Sequence, residues 1–372
     1  MRISIIGAGP AGSYAASLLA KQGHEVHVFE DHDEIGVPVQ CTGIVTGALW
    51  DLIPKEPSII RTELTSVKVH GPSQHAEVRL HEYVLDRAGL DKHIAKLARQ
   101  AGAKFHLGHR FIGFGKNTVK VRHNGKEREF PTDITIGADG PNSEVAKAAG
   151  IWAQRQVWGG VQATIRGDYD PHRFEVFFNR DFDRFFAWVV PESATIARIG
   201  IASQKKAREM FERITQRYPG KFVGWQSGPI PIYEKRIPVQ NKERTVFLVG
   251  DAAGLVKATT GGGIITGMVS SRILADCIVK KKDYAKALKP LRKDLALHRL
   301  IRRMLNTFTD RDYDRMIRCL ANPRLQAVLY NHHRDFPSKF LLKAILVEPR
   351  LLIFGQNFIK QLRLPADGVS YA

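Results

Sequence analysis

The spacing of apolar residues predicts a βαβ unit at the start of the chain. Residues 2–6 are a short β-branched run, 12–22 are rich in alanine and leucine as in a helix, and 25–29 alternate as a second strand. Two alternating stretches in 64–80 flank a Gly-Pro-Ser turn, which predicts a hairpin, and 85–100 has apolar residues at helical spacing. These elements begin what we predict to be the first domain.

The pattern changes after about residue 150. Before that point, strand-like segments lie at 104–107, 118–122, 127–130 and 133–137. Period-two segments between 157 and 232 indicate an antiparallel sheet layer, and a fully apolar strand returns at 245–249. We therefore predict a mixed α/β (α+β) protein with three parts, which are a discontinuous first domain (1–150 and 240–283), an antiparallel-sheet domain (151–239) and a C-terminal helical region (284–372).

Composition favours a globular protein of the reducing cytoplasm. The chain has 372 residues, 44% of them hydrophobic, which is enough for a substantial core. Cys41, Cys277 and Cys319 lie far apart and form no CxxC pair, so neither a disulfide framework nor a zinc site is indicated. The most apolar stretch, 341–354, is interrupted by charged residues and a proline, so no transmembrane helix is predicted.

The positive charge raises the question of an anionic partner. The formal net charge is +19, and lysine and arginine recur with few acids over 280–303. A basic helical face of this kind contacts anionic lipid or nucleic acid, although it also occurs as a plain solvated face. The charges form no recognisable nucleic-acid module. We therefore expect a cytoplasmic protein, with the inner face of the membrane as a candidate contact and nucleic acid as the less expected one.

A glycine hexad between the first strand and helix predicts a dinucleotide site. Gly7-Ala8-Gly9-Pro10-Ala11-Gly12 fits G-x-G-x-x-G, and Glu30 closes the second strand about 20 residues later. Gly7 would permit the tight turn, Gly9 would let the backbone approach a pyrophosphate, and Gly12 would allow close helix packing. Glu30 would accept hydrogen bonds from ribose hydroxyls, and Ala11 lies within the same loop.

A second segment favours FAD over NAD as the dinucleotide. Residues 245–249 form a buried strand followed by Gly250-Asp251, which places the Asp251 carboxylate at a sheet edge, where a ribityl chain needs an acceptor. Gly262-Gly263-Ile264 then opens a helix whose N-terminal amides could stabilise negative charge on the pyrimidine end of a reduced flavin.

At this point the chain resembles FAD-dependent enzymes of the para-hydroxybenzoate hydroxylase fold, and within them the geranylgeranyl reductase family. Besides the hexad, four segments carry the resemblance: 35–44 (IGVPVQCTGI), 84–87 (VLDR), 136–143 (IGADGPNS) and 249–254 (VGDAAG). The resemblance implies a Rossmann-type FAD-binding domain, an antiparallel-sheet substrate domain and a C-terminal helical region.

The resemblance also implies roles for individual residues. In that family a cysteine after G-x-P-x-x lies near the flavin ring, so Cys41 and Gly43 would contact the flavin. Arg87 would contact the cofactor from a helix start, and Asp139-Gly140 would supply the motif shared by the fold. Taken alone, Cys41 is a lone thiol, and such residues are more often small buried groups than reactive ones. A catalytic role, donating a proton beside the carbon that receives hydride, stays open as a hypothesis.

Residues 186–191 (FAWVVP) resemble the family's aromatic-x-Trp-x-aromatic-Pro segment, which lines the substrate cavity. The resemblance implies that Phe186, Trp188 and Pro191 contact substrate. The match is imperfect, because Val190 replaces the second aromatic residue and Glu192 replaces the lysine that follows. The same alternation also suits the core residues of an ordinary strand.

These features predict a flavin-dependent reductase of isoprenoid chains. Only one glycine hexad is present, so the flavin would be reduced transiently by NADPH, ferredoxin or another donor, and would pass hydride to double bonds of geranylgeranyl chains of membrane lipids or their precursors. An FAD-dependent monooxygenase or halogenase of the same fold is the alternative. A non-catalytic, nucleic-acid-associated flavoprotein is a third hypothesis.

Overall fold

The computed structural model describes residues 1–182, 185–203 and 207–356, and it confirms a mixed α/β fold. The strands are β1 (Arg2–Ile6), β2 (Glu25–Phe29), β3 (Ile44–Thr46), β4 (Ile60–His70), β5 (His75–Leu85), β6 (Lys104–His106), β7 (Arg110–Gly115), β8 (Thr118–His123), β9 (Lys126–Pro131), β10 (Ile134–Gly137), β11 (Val157–Arg166), β12 (Arg173–Phe177), β13 (Ala187–Ser193), β14 (Ile196–Ser203), β15 (Lys221–Pro231) and β16 (Val246–Leu248). The α-helices are α1 (Pro10–Lys21), α2 (Arg87–Gln100), α3 (Glu144–Ala148), α4 (Ala207–Thr215), α5 (Ile264–Val279), α6 (Tyr284–Ala287), α7 (Lys289–Leu305), α8 (Asp310–Leu320), α9 (Pro323–Tyr330) and α10 (Leu341–Val347).

A parallel sheet with strand order β16-β10-β1-β2-β6 forms the core of the first unit. Its central strand β1 is buried on both faces, with Ile5 on one face and Ile6 on the other, because helices cover both faces of such a sheet. All five strands run in the same direction, so the turns that follow β1, β2, β10 and β16 meet at one edge. That edge is where ligands bind in open α/β sheets.

An eight-stranded sheet with order β15-β11-β14-β13-β12-β4-β5-β3 forms the second layer. The predicted hairpin is present as β4 and β5, which pair antiparallel. Although β4 and β5 precede residue 150, they belong to the large sheet, because β4 pairs in parallel with β12. The domain boundary that we predicted near residue 150 therefore does not coincide with the boundary between the two sheets. A pairing between strands far apart in the chain leaves no local signal in the sequence.

A smaller sheet of β7, β8 and β9 packs beside the parallel sheet, where Phe111, Val119 and Val121 join its core. We predicted β8 and β9 but missed β7. The segment Arg110–Gly115 contains two glycines, which obscure its alternation, and the register of β7 on β8 shifts between Phe111 and Gly113.

The chain is mainly helical from α6 to the end of the described residues. Helices α8 and α9 lie against β5, and apolar residues of α8 and α9 pack on the large sheet. None of the helices in the described part of the chain combines the length and the apolar character that a membrane span requires.

Candidate active site

The glycine hexad forms a tight turn between β1 and α1. Gly7 has φ +101°, and a Cβ there would lie 2.4 Å from the carbonyl oxygen of Ala138. A Cβ on Gly12 would lie 2.0 Å from the carbonyl oxygen of Gly7, so the turn and the helix can approach this closely only without side chains. A Cβ on Gly9 would meet nothing within 4 Å. Gly9 also begins α1 without a side-chain cap, so the helix N-terminus faces open space.

Glu30 lies at the end of β2, beside a cavity of about 310 Å³ that Gly7 and Gly9 also line. One of its carboxylate oxygens accepts a hydrogen bond from the backbone N–H of Ala8 at 2.7 Å. The other lies 2.6 Å from Nδ1 of His32. The carboxylate is thereby fixed at the cavity wall, as a ribose acceptor needs to be.

Asp139 and Gly140 also line this cavity. Both Asp139 oxygens are engaged by the loop itself, one with the hydroxyl of Ser143 at 2.6 Å and the other with the N–H of Val145 at 3.0 Å. Burial raises the pKa of Asp139, and these hydrogen bonds oppose the rise. Gly140 has φ +77°, and a Cβ on it would meet no other atom within 4 Å. Asp139 therefore shapes the loop, while the Gly140 backbone faces the cavity.

The second glycine-bearing segment packs directly against the first. Gly250 has φ +59°, and a Cβ on it would lie 3.0 Å from the Ala11 side chain. On α5, a Cβ on Gly267 would lie 3.2 Å from the Cα of Gly250. The hydroxyl of Ser271 donates to the carbonyl oxygen of Ala11 at 2.8 Å. Segments about 240 residues apart in sequence are thus joined at one sheet edge.

Asp251 follows β16 and lies beside the start of α5. A Cβ on Gly263 would come within 2.5 Å of its Oδ1, so only glycine leaves room for the carboxylate there. Burial raises the pKa of Asp251, and the guanidinium groups of Arg87 and Arg155 oppose the rise. Arg155 also donates to the backbone carbonyl of Asp251 at 2.8 Å.

The turn before α5 rests on a buried ionic network. Gly263 begins the helix without a side-chain cap, and Ile264 is its first residue. A Cβ on Gly262 would lie 3.1 Å from Nζ of Lys257, which is paired with Asp335. Although burial disfavours the Asp335 carboxylate, Lys257 and neighbouring groups lower its pKa to about 2.

Cys41 is partly buried and lies in the loop before β3. Its thiol accepts from the N–H of Gly43 at 3.3 Å and lies within electrostatic reach of the Arg87 guanidinium. Burial alone would lower the pKa of Arg87, but the Asp91 carboxylate and Cys41 raise it above its ordinary value. Arg198 donates to the Cys41 carbonyl oxygen at 2.5 Å. The thiol therefore lies beside a permanent positive charge.

The predicted substrate residues divide between two faces of the large sheet. Phe186 and Trp188 are buried in one apolar cluster together with Val190. Side chains alternate along a strand, so Pro191 lies on the other face with Val189. That all three residues contact substrate stays a prediction.

Several residues near the site escaped prediction from the sequence. Arg155 supports the backbone after β16, Lys257 and Asp335 pair beneath the α5 turn, and Arg198 holds the Cys41 loop while pairing with Glu192. Each contact joins residues far apart in the chain. A local signal existed only for Lys257, which is a charged residue within the apolar run 252–258.

These residues fit an extended dinucleotide. Open space lies at Gly9 and Gly140, and two helix N-termini, those of α1 and α5, lack side-chain caps. An acid stands at each end of the arrangement, Glu30 beside the cavity and Asp251 beside α5. The α1 N-terminus would hold a pyrophosphate, and the α5 N-terminus would face the flavin ring.

Two family models match the chain. The NAD(P)-binding Rossmann-like domain matches residues 5–49, and the FAD binding domain matches residues 81–280, more than half of the chain. The chain is therefore an FAD-binding oxidoreductase, as the two glycine-bearing segments predicted.

Relatives narrow the class further. The chain is 31% identical to digeranylgeranylglycerophospholipid reductase 1 of Methanopyrus kandleri, over 75% of this chain and 80% of that protein. The crystal structure of a geranylgeranyl bacteriochlorophyll reductase-like protein from Thermoplasma acidophilum superposes with a TM-score of 0.82 at 25% identity, covering 96% of this chain and 98% of that one. The chain belongs to the geranylgeranyl reductase family.

Halogenases share the fold alone. A flavin-dependent brominase superposes with a TM-score of 0.72 at 16% identity, covering 98% of this chain and 100% of that one.

Proposed function

We propose that this protein is an FAD-dependent reductase that saturates double bonds in geranylgeranyl or other isoprenoid chains of membrane lipids or their precursors. One observation carries the proposal. The two glycine-bearing segments pack against each other at one sheet edge and place the Asp251 carboxylate beside the N-terminus of α5, and the Arg87 guanidinium interacts electrostatically with both Asp251 and Cys41. The family relatives bear names that specify the same kind of substrate.

The residues of the chain divide the work of such a reaction. Bound FAD, once reduced, supplies a hydride to one carbon of the double bond, and the other carbon then needs a proton. Cys41 is the candidate donor of that proton from Sγ, and solvent would reprotonate the thiolate. The Arg87 guanidinium would offset the negative charge left on sulfur once the proton has been transferred. The apolar cluster with Phe186 and Trp188 would hold the chain away from water.

We expect the Cys41→Ser variant to keep its FAD and to lose about 100-fold or more of its reduction rate, because a hydroxyl is a much weaker proton donor. Cys319→Ser is the matched control, since that thiol is buried among the C-terminal helices. Rates and flavin content of both variants would be measured in parallel. A Cys41→Ser enzyme as fast as the parent would remove Cys41 from the mechanism.

The function itself is tested by mass spectrometry of lipids after incubation with dithionite-reduced holoprotein. We expect a gain of hydrogen pairs on the prenyl chains under anaerobic conditions. A product that contains an inserted oxygen or halogen atom, formed only in air, would instead establish the monooxygenase or halogenase alternative.

We also propose two partners, an electron donor and a membrane surface. The physiological electron donor would be NADPH, ferredoxin or another reductant that docks transiently. The enzyme would also contact the anionic inner face of the membrane, where its lipid substrates reside, and the excess of basic residues supports that contact.

A further inference from the structure

The end of the described chain carries a group of exposed apolar side chains. We call it the C-terminal apolar surface and define it as Leu342, Leu346, Leu352 and Ile353, whose exposed fractions are 69%, 71%, 53% and 43%. Leu342 and Leu346 are four residues apart on α10 and so share one face of that helix. Ala344, on the opposite side of α10, is buried in the C-terminal core. The solvent-facing side of α10 therefore carries two leucines together with Lys343, while its other side packs on the core through Ala344 and Val347.

The exposed charges of the chain segment that carries this surface have one sign. Within residues 323–356 the acids are Asp335 and Glu348, and both are buried. Asp335 is paired with Lys257, and Glu348 accepts two hydrogen bonds from Arg350. The exposed ionic side chains of this segment are therefore all cationic, and they are Arg324, Lys339, Lys343 and Arg350.

The same helical layer also covers the substrate sheet. Leu320 and Leu329 pack both on the cluster that contains Phe186 and Trp188 and on the C-terminal core beneath α10. Phe178 is likewise shared by the two clusters. The layer of C-terminal helices thus has the exposed leucines on one side and the proposed isoprenoid site on the other.

The basic helix predicted to contact lipid is less suited to that task. Arg302 of α7 is buried and donates to the carbonyls of Ala258 and Thr259, and burial lowers its pKa to about 10. Arg299 is paired with Glu234. These two arginines of α7 therefore hold the fold together and do not face a partner.

We infer that the C-terminal apolar surface docks onto an anionic lipid bilayer, with the leucines inserted among the acyl chains and the lysines at the headgroups. The inference rests on the proposed function, because a reductase of membrane lipids has to reach chains buried in a bilayer. Apolar side chains flanked by lysine and arginine are the usual composition of a helix that lies in the membrane interface.

The test is co-sedimentation of the FAD-loaded protein with phosphatidylcholine vesicles that contain or lack phosphatidylglycerol. The Leu342→Glu/Leu346→Glu variant removes two exposed leucines. Its control is Phe222→Glu/Val223→Glu on strand β15, where the side chains are 50% and 56% exposed. Both pairs replace two exposed apolar residues and add the same negative charge at different places on the protein.

We expect the parent protein and the β15 variant to bind anionic vesicles alike, and the α10 variant to bind at least about tenfold more weakly. Equal binding by all three proteins, or loss of binding in the β15 variant alone, would overturn the inference. A parent protein that is dimeric in solution and becomes monomeric in the α10 variant, without vesicle binding, would assign the surface to a second copy of the chain.

Activity assays separate this inference from the function on which it rests. Reduction of a geranylgeranyl lipid is measured in detergent micelles and in vesicles. The inference predicts that the α10 variant loses rate in vesicles and keeps it in micelles. Absence of reduction in both media, even by the parent protein, would contradict the proposed function, whereas equal rates of parent and α10 variant in vesicles would contradict the docking surface alone.

Discussion

A methyl group added at Gly9 would project into open space, whereas one added at Gly12 would strike the backbone of Gly7. The two glycines of one motif are therefore required for different reasons. Gly12 is needed by the fold, and Gly9 is needed only if a ligand approaches the α1 N-terminus. Single substitutions can separate these two requirements.

We expect Gly9→Val to leave the thermal unfolding temperature of the apoprotein unchanged and to weaken FAD binding by at least about tenfold, since the side chain would occupy the space of the pyrophosphate. Gly12→Ala should destabilise the apoprotein itself. Thermal unfolding and fluorescence titration with FAD check both statements. Full FAD affinity in Gly9→Val would place the cofactor elsewhere.

Among single residues, the sequence predicted those whose role depends on their own backbone or on their position at the end of a strand. The hexad and Glu30 lie at the cavity, and Asp251 lies beside Gly263. Residues that act through a distant partner were missed, such as Arg155, whose partners are 96 and 97 positions away. Such a pairing depends on the complete fold and leaves no periodic trace.

Among the elements, the turn between β16 and α5 depends most on distant support. Lys257 of this turn pairs with Asp335, which also accepts from the Thr46 hydroxyl at 2.5 Å. Arg302 of α7 donates to the backbone of residues 258 and 259. The C-terminal helices therefore hold in place the turn that would face the flavin ring.

Removing one partner of the Lys257–Asp335 pair should be costly, because the other charge stays buried. We expect Lys257→Met and Asp335→Asn each to lower the free energy of unfolding by about 3 to 5 kcal/mol, and the double variant to lose clearly less than the sum. Urea unfolding of the four proteins measures this coupling. Additive losses would show that the pair contributes nothing beyond its separate residues.

Element prediction succeeded where the pattern was local. Strands β1 and β2 and the hairpin of β4 and β5 follow from alternation and turn residues. The parallel pairing of β4 with β12 did not follow, because each strand alone is compatible with several neighbours. Strand β7 was not predicted, because its two glycines lack the side chains that would show the alternation of a strand.

For the whole molecule, we expect the free energy of unfolding to fall as the pH becomes acidic. His298 is buried against the Thr259 hydroxyl, at 2.6 Å, and the Asp335 carbonyl. Burial, together with the nearby Lys257 charge, lowers its pKa from 6.5 to about 4. Between these values the unfolded chain binds a proton that the native protein does not, so stability is lost as the pH falls from 6.5 towards 4.

From this shift we expect His298 to account for about 2 kcal/mol of lost stability between about pH 7 and pH 5. His298→Gln should flatten that part of the pH dependence, whatever its effect at neutral pH. Urea unfolding at both pH values measures it, with the exposed His75→Gln variant as control. An unchanged slope in His298→Gln would show that His298 is not the group responsible.

The position of β16 has a consequence for synthesis on the ribosome. Strand β10 pairs with β1 on one side and with β16 on the other, yet more than a hundred residues separate Gly137 from Val246. Until those residues have been translated, β10 is an open edge that can pair with another nascent chain. Asp251 lies three residues after β16 and emerges together with it, so the segments proposed to hold the flavin are complete only late in co-translational folding.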